Sequence, residues 1–168
     1  MMFMNKAVFL DRDGTIIEDK NYIYEFSKVT FLPNAIKALE IFQKRNFLLI
    51  IVSNQSGVGR GFFSENDVRS VNEYINQKLL ECGIYISNFY YCPHYLGSRN
   101  AIYNKACNCR KPAPGLILQA AYEHNIDLNS SYMFGDKVSD VLAGLNAGVD
   151  NSYIVNKKHN LFFYAKRM

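Results

Sequence analysis

The stretch Ala7-Val8-Phe9-Leu10-Asp11-Arg12-Asp13-Gly14-Thr15 places four apolar residues directly before an acidic turn. The apolar run predicts a buried strand of a parallel sheet. Two carboxylates two residues apart are costly at the end of such a strand unless they hold a cation or do chemistry. Asp11 is therefore a candidate nucleophile and metal ligand, and Asp13 is a candidate proton donor and acceptor. The alternative is a polar turn that only ends a strand, and a bare pair of carboxylates favours that alternative.

The rest of the chain alternates short apolar runs with amphipathic segments. The longest run is Phe47–Val52, six apolar residues in a row, which predicts a second buried strand. Ser64 is a candidate N-cap for a following helix. Strands separated by helices indicate an α/β fold, a three-layer Rossmann-like sandwich with a mostly parallel sheet, in which ligands bind at the carboxyl ends of the strands. Further strands are predicted at 89–91, 132–134 and 153–155, and helices at 34–45, 65–82, 114–124 and 138–147.

Length and composition exclude several classes of protein. The 168 residues are 49% hydrophobic and 20% charged, which predicts one globular domain over 1–168. The net charge is +4, but four basic residues stand in the last twelve positions, and the remaining 15 basic residues equal the 15 acidic ones. No nucleic-acid partner is therefore predicted. No apolar run is long enough to span a bilayer, and Met1–Lys6 is too short for a signal peptide. We expect a cytoplasmic monomer with no membrane partner.

Three more polar clusters follow along the chain. Ser53–Gly57 ends the second predicted strand, and its hydroxyl and amide groups are suited to donate hydrogen bonds to a phosphoryl oxygen. Lys111 offers a point positive charge. Gly135-Asp136-Lys137, followed by Asp140, adds a carboxylate suited to Mg²⁺, which favours oxygen ligands and substrate phosphate. Each cluster is a weak signal by itself, whereas all four in this order are specific.

The motifs DxDGT, a strand-end Ser-Asn, a Lys and GDxxxD together resemble those of the haloacid dehalogenase-like phosphatases. The resemblance covers about residues 5–155, nearly the whole chain. It implies that Asp11 attacks phosphorus to form an aspartyl-phosphate, and that Asp13 protonates the leaving alcohol and then activates water. It also implies that Ser53 and Lys111 stabilise the transferring phosphoryl group. The implied ligands of Mg²⁺ are Asp11, the Asp13 backbone carbonyl and Asp136, with Asp140 behind them.

Three of the four cysteines stand close to a histidine, in Cys92-Pro93-His94 and Cys107-Asn108-Cys109. Cys92, His94, Cys107 and Cys109 form a closed set of soft ligands, which suits structural zinc because no position is left open for a substrate. Zn²⁺ would close a long loop at about 92–109. The alternative is free thiols beside a surface histidine. Cys82 lies on the apolar face of a predicted helix and is expected in the core.

The segments DRDGTI, SNQSGVGRG, YCPH, CNCRKPAPG and GDKVSD look like those of the D-glycero-D-manno-heptose 1,7-bisphosphate phosphatases. Their relatives, the histidinol-phosphate phosphatases, share the loop zinc. The resemblance implies hydrolysis of the 7-phosphate of the heptose bisphosphate in nucleotide-heptose biosynthesis, with histidinol phosphate as the alternative substrate. Residues 17–31 would form a small flap, and Arg110 would recognise the second part of the substrate. The implied substrate contacts are Asp19, Lys20, Asn21, Tyr22, Ser53, Asn54, Gln55, Ser56, Arg110, Lys111 and Lys137.

Two features depart from the family pattern. Asn21 stands where the flap commonly has a glycine, although Asn also tolerates a left-handed conformation. The family usually continues through a final strand and helix, whereas here only a divergent tail, 156–168, remains. Its apolar run, Leu161–Tyr164, is expected to pack as a last strand or helix or to pair with another chain. His124 is expected on a helix surface and His159 in the tail.

Overall fold

The computed structural model describes residues 4–168, and a five-stranded sheet forms its centre. The strands β1 (Lys6–Leu10), β2 (Phe47–Asn54), β3 (Ile86–Cys92), β4 (Tyr132–Gly135) and β5 (Asn151–Ile154) lie in the order β3-β2-β1-β4-β5. All four neighbouring pairs are parallel. Residues 7–10 of the central strand are 0% exposed, because helices cover both faces of the sheet. The predicted α/β fold is confirmed.

Helices pack on both faces of the sheet and make three layers. Within residues 4–168 they are α1 (Ala35–Lys44), α2 (Glu65–Glu81), α3 (Gly115–Glu123), α4 (Val138–Ala147) and α5 (Leu161–Ala165). Successive residues of a strand point to opposite faces. Val8 and Leu10 therefore join one core, with α1, α2 and α5, while Ala7 and Phe9 join the other, with α3 and α4.

The second helix begins where the sequence predicts and ends earlier. Ser64 Oγ accepts a hydrogen bond from the Asp67 backbone N–H at 3.2 Å, and the Asp67 carboxylate accepts one from the Ser64 N–H at 2.7 Å. This capping box confirms the predicted N-cap. The helix ends at Glu81, and Gly83 follows with a φ of 74°. Cys82 is consequently exposed, and the prediction that it lies in the core is wrong because the chain leaves the helix at that residue.

The C-terminal segment folds back onto the sheet as a helix. Leu161 and Ala165 of α5 are buried in the core beside α1, and Arg45 Nη1 donates to the Ala165 carbonyl at 2.8 Å. The sequence left three alternatives for Leu161–Tyr164, namely a strand, a helix or pairing with another chain. The structure shows a helix. His159 packs on the Phe163 ring. His124 is half-buried at the end of α3, against the Tyr90 ring, and not on an exposed helix surface as expected, because the chain turns there towards β1.

None of the helices within residues 4–168 is long and apolar enough to cross a bilayer. The longest, α2, has 17 residues, fewer than the roughly 20 apolar residues that a span requires. The expectation that Met1–Lys6 is too short for a signal peptide concerns a segment whose first three residues lie outside the described range.

Candidate active site

Strand ends bring the acidic and basic candidates to one edge of the sheet. Leu10 of β1 pairs with Ile51 of β2 and Phe134 of β4, so the residues that follow these strands lie side by side. Lys111 Nζ reaches this edge, where it donates to Asp11 Oδ1 at 2.7 Å and lies 2.6 Å from Asp140 Oδ1. The exposed fractions are 6% for Asp11, 4% for Lys111 and 1% for Asp140. The chain therefore builds a buried ion-pair network around the predicted nucleophile.

The charges of this network stabilise one another. Burial raises the pKa of Asp11, and the Lys111 ammonium opposes that rise. Burial alone would lower the pKa of Lys111, but the Asp11 and Asp140 carboxylates outweigh burial and raise it. Lys111 therefore stays protonated and can neutralise negative charge that develops on a phosphoryl group next to Asp11.

A buried carboxylate oxygen at this edge is available to a cation. Asp136 Oδ1 is buried and has no hydrogen-bond partner among the described residues. Asp140 uses both its oxygens, since Oδ1 pairs with Lys111 and Oδ2 accepts the Lys137 backbone N–H at 2.9 Å. Ligand oxygens of Asp11, Asp136 and Asp140 all lie within 4.8 Å of one another. An unpartnered buried carboxylate oxygen beside a second carboxylate fits Mg²⁺, so Asp11 and Asp136 suit a cation that Asp140 supports from behind.

The titration of Asp136 gives a test of this assignment. Burial and the Asp11 carboxylate raise the pKa of Asp136 from 3.8 to about 6. Between these values the folded protein binds more protons than the unfolded chain, so the free energy of unfolding falls as pH rises. In protein without Mg²⁺, Asp136→Asn should therefore raise the free energy of unfolding at pH 7.5 by about 1 kcal/mol, a figure reduced for solvent screening at a half-buried group.

Urea unfolding at pH 7.5 and at pH 4, in buffer without magnesium, measures this effect. The difference between wild type and Asp136→Asn should shrink at pH 4, where the folded-state carboxyl is protonated. Added Mg²⁺ should stabilise the wild type and not the variant. Asp150→Asn, which alters an exposed carboxylate, is the control. A variant that Mg²⁺ stabilises as much as the wild type would contradict the metal assignment.

Asp13 is held by Gln55, which the sequence predicts as a substrate contact, and by Arg12 with its partner Asn72, which the sequence-based prediction does not include. Arg12 is fully buried, and it donates to Asp13 through Nε at 3.1 Å and through Nη2 at 3.2 Å. Its Nη1 donates to Asn72 Oδ1 of α2 at 2.9 Å. Gln55 Nε2 donates to Asp13 Oδ2 at 2.9 Å. These contacts fix the carboxylate at the edge of the cavity. Two features of the sequence point to these residues. Arg12 stands between two carboxylates, and Asn72 is a polar residue in the apolar stripe of α2.

The end of β2 and the loop after it support both Asp13 and Lys111. Ser53 is buried, and its hydroxyl accepts a hydrogen bond from Gln55 Nε2 at 3.3 Å. The Asn54 side chain accepts the Lys111 backbone N–H and donates to the Lys111 carbonyl, each at 3.0 Å. The amide of Asn54 is thus used to hold the Lys111 backbone, while Ser56 lines the cavity.

A cavity of about 390 Å³ opens beside these groups. Asn21 and Tyr22 of the flap have φ of 54° and 56°, so Asn21 takes the left-handed conformation without a glycine. Lys137 Nζ lies 3.4 Å from Asp19 Oδ2 and links the loop after β4 to the flap. Lys20 does not line the cavity, because its Nζ donates to Thr30 Oγ1 at 2.6 Å. The sequence-predicted residues that line the cavity are Asp13, Asp19, Asn21, Tyr22, Asn54, Gln55, Ser56, Arg110, Lys111 and Lys137.

The side chains of Cys92, His94, Cys107 and Cys109 converge on one point. Cys109 Sγ lies 3.1 Å from Cys92 Sγ, 3.3 Å from Cys107 Sγ and 3.2 Å from His94 Nδ1. The edge of a Zn–S tetrahedron is about 3.8 Å, so the four donors fit the ion after a small outward shift. Burial and the nearby Lys105 ammonium lower the pKa of His94, which favours the neutral imidazole that metals bind. The cluster is compatible with a zinc site.

Known proteins are similar to this chain in sequence and in fold. A family model described as HAD-hydrolase-like matches residues 108–155. The D-glycero-beta-D-manno-heptose-1,7-bisphosphate 7-phosphatase of Pasteurella multocida (strain Pm70) is 43% identical over 152 residues, which cover 90% of this chain and 82% of the relative. A HAD-like phosphatase from Mesorhizobium loti superposes with a TM-score of 0.86 at 29% identity, over 90% of this chain and 72% of that chain. A D,D-heptose 1,7-bisphosphate phosphatase from B. bronchiseptica, complexed with magnesium and phosphate, superposes with a TM-score of 0.80 at 21% identity, over 96% and 97% of the two chains.

Proposed function

We propose that this chain, which belongs to the haloacid dehalogenase-like phosphatases and among them to the family of the heptose-1,7-bisphosphate 7-phosphatases, hydrolyses the 7-phosphate of D-glycero-D-manno-heptose 1,7-bisphosphate. The observation that carries the proposal is the buried network in which Lys111 joins Asp11 to Asp140 beside a cavity lined with polar groups. The network places a positive charge beside the predicted nucleophile Asp11, and phosphoryl transfer depends mainly on such positioning and neutralisation.

The first step transfers the phosphoryl group to Asp11. A carboxylate oxygen of Asp11 forms a bond to phosphorus, while the bond from phosphorus to the sugar oxygen breaks. Asp13 gives its proton to that oxygen, so the sugar leaves as an alcohol. Arg12 and Gln55 hold the Asp13 carboxyl at the cavity edge for this transfer. Lys111 and Ser53 stabilise the charge on the phosphoryl oxygens.

The second step releases inorganic phosphate. Asp13, now ionised, takes a proton from water, and the resulting hydroxide attacks the phosphorus of the aspartyl-phosphate. The acyl–phosphate bond breaks and restores the Asp11 carboxylate. Mg²⁺ held by Asp11, the Asp13 backbone carbonyl and Asp136 would neutralise charge on the phosphoryl group in both steps. The other product keeps its 1-phosphate, which suits it to nucleotide transfer in nucleotide-heptose biosynthesis.

Zinc in the Cys92–Cys109 loop would be structural in this scheme. The four side chains leave no ligand position for substrate, and the last of them directly precedes Arg110 and Lys111. We also propose that one domain, spanning residues 1–168, carries the activity as a cytoplasmic monomer.

Phosphate release from purified protein tests the substrate. The panel consists of heptose 1,7-bisphosphate, heptose 1-phosphate, histidinol phosphate and a hexose 6-phosphate. We expect kcat/KM for the bisphosphate to exceed that for every other substrate by about 10²-fold, because only the bisphosphate offers a second phosphate group to Arg110. Asp13→Asn, purified in the same way, controls for contaminating phosphatases. Equal turnover of histidinol phosphate and the bisphosphate would contradict the proposal.

A further inference from the structure

A second cavity, of about 330 Å³, adjoins the active-site cavity. Arg110 and Lys111 line both cavities, so the two cavities share part of their walls. Among the described residues, 4–168, three cations and no carboxylate line the second cavity, and walls that carry one sign of charge favour an anionic group. The remaining lining residues are Tyr95, Leu96, Lys105, Ala106, Cys107 and Pro112.

Two of the three positive charges are free to meet a ligand. The Lys111 ammonium is buried between Asp11 and Asp140, which neutralise it. Arg110 donates from Nη1 to the uncharged backbone carbonyl of His94 at 3.2 Å, so its charge is not compensated there. Lys105 is exposed and has no ion pair within residues 4–168. The second cavity therefore faces the uncompensated charges of Arg110 and Lys105.

The cysteine cluster brings together the backbone segments that carry both cations. Lys105 stands two residues before Cys107, and Arg110 directly follows Cys109. The Sγ atoms of Cys107 and Cys109 lie 3.3 Å apart, so the backbone that carries the two cations is gathered at one point. Lys105 and Arg110 both line the second cavity, so their charges act on the same volume.

We propose that Lys105 acts with Arg110 to bind the second phosphate of a bisphosphate substrate, which makes Lys105 a further specificity-determining residue. This inference rests on the proposed function, in which the phosphate that is hydrolysed lies at Asp11 and the other lies beyond Arg110. A phosphate monoester carries a charge of about −1.5 to −2 at neutral pH. Arg110 supplies one positive charge with a planar, two-point contact, and Lys105 supplies a second, mobile one.

Steady-state kinetics of Lys105→Gln test the inference. The variant should raise KM for heptose 1,7-bisphosphate about tenfold and change kcat less than about twofold, since the lost contact lies away from the reacting phosphorus. KM for heptose 7-phosphate, which lacks the second phosphate, should change less than about twofold. Lys105→Arg should restore most of the affinity. Lys37→Gln, which removes an exposed charge on α1, is the matched control.

The outcomes separate the two proposals. A Lys105→Gln variant that keeps the full preference of the wild type for the bisphosphate overturns the inference and leaves the proposed function intact. Equal loss on both substrates also overturns it, because the effect is then not on the second phosphate. Wild-type protein that releases no phosphate from the bisphosphate overturns the proposed function, and the inference with it.

Discussion

Replacement of Asp11 by asparagine is expected to lower the rate of phosphate release by about 10⁴-fold or more. An amide oxygen is a poor nucleophile, so the aspartyl-phosphate of the proposed mechanism should not form. The change also removes one of the two carboxylates that hold the Lys111 ammonium, at 2.7 Å and 2.6 Å. Single-turnover assays with acid quenching should find labelled phosphoenzyme in the wild type and none in the variant.

The Asp11→Asn variant should remain folded. Asparagine has the same shape as aspartate, and burial makes the ionised carboxylate costly at this position, as the raised pKa of Asp11 indicates. Thermal unfolding followed by circular dichroism checks this point, with Asp150→Asn as the control that alters an exposed carboxylate. A folded Asp11→Asn variant that keeps more than about 1% of wild-type activity would show that another group attacks phosphorus.

The strands and the polar clusters at their ends were predictable because each depends on local sequence. A run such as Phe47–Val52 has no polar side to offer water, so it is buried wherever it packs. The side chains that follow parallel strands then meet at one edge, whatever the order of the strands. Asp11 and Asp140 accordingly meet at Lys111, about a hundred residues from the first of them.

Pairing between polar side chains was not predictable in this way. Arg12 and Asn72 are 60 residues apart, and only the packing of α2 on one face of the sheet brings them together. Asn54 looked like a substrate contact, yet its amide fits the Lys111 backbone, 57 residues away. Lys20 stands between residues that line the cavity, but the flap directs its side chain to Thr30. Such contacts depend on how distant elements pack, which a single sequence does not encode in any local pattern.

Replacement of Cys109 by serine is expected to remove zinc and to lower kcat/KM by about 10²-fold. Residues 93–114 connect β3 to α3 without a helix or strand, and Cys109 Sγ contacts the other three donors of the cluster. Loss of the cluster frees the segment that carries Arg110 and Lys111. The loop should stay attached to the domain, because Tyr103 still donates to Glu65 at 3.0 Å and the Gly115 N–H to the Asn108 carbonyl at 2.8 Å.

Metal analysis and kinetics on the same preparation measure this effect. Wild-type protein purified without chelator should contain about one zinc per chain, and Cys109→Ser much less. Cys82→Ser is the matched control, because Cys82 is exposed and outside the cluster, and it should keep both zinc and activity. A Cys109→Ser variant that loses zinc but keeps wild-type kcat/KM would show that the cluster does not position Arg110 and Lys111. If zinc does position them, the loss should be larger for the bisphosphate than for a sugar monophosphate, since in the proposed function Arg110 contacts the second phosphate, which the monophosphate lacks.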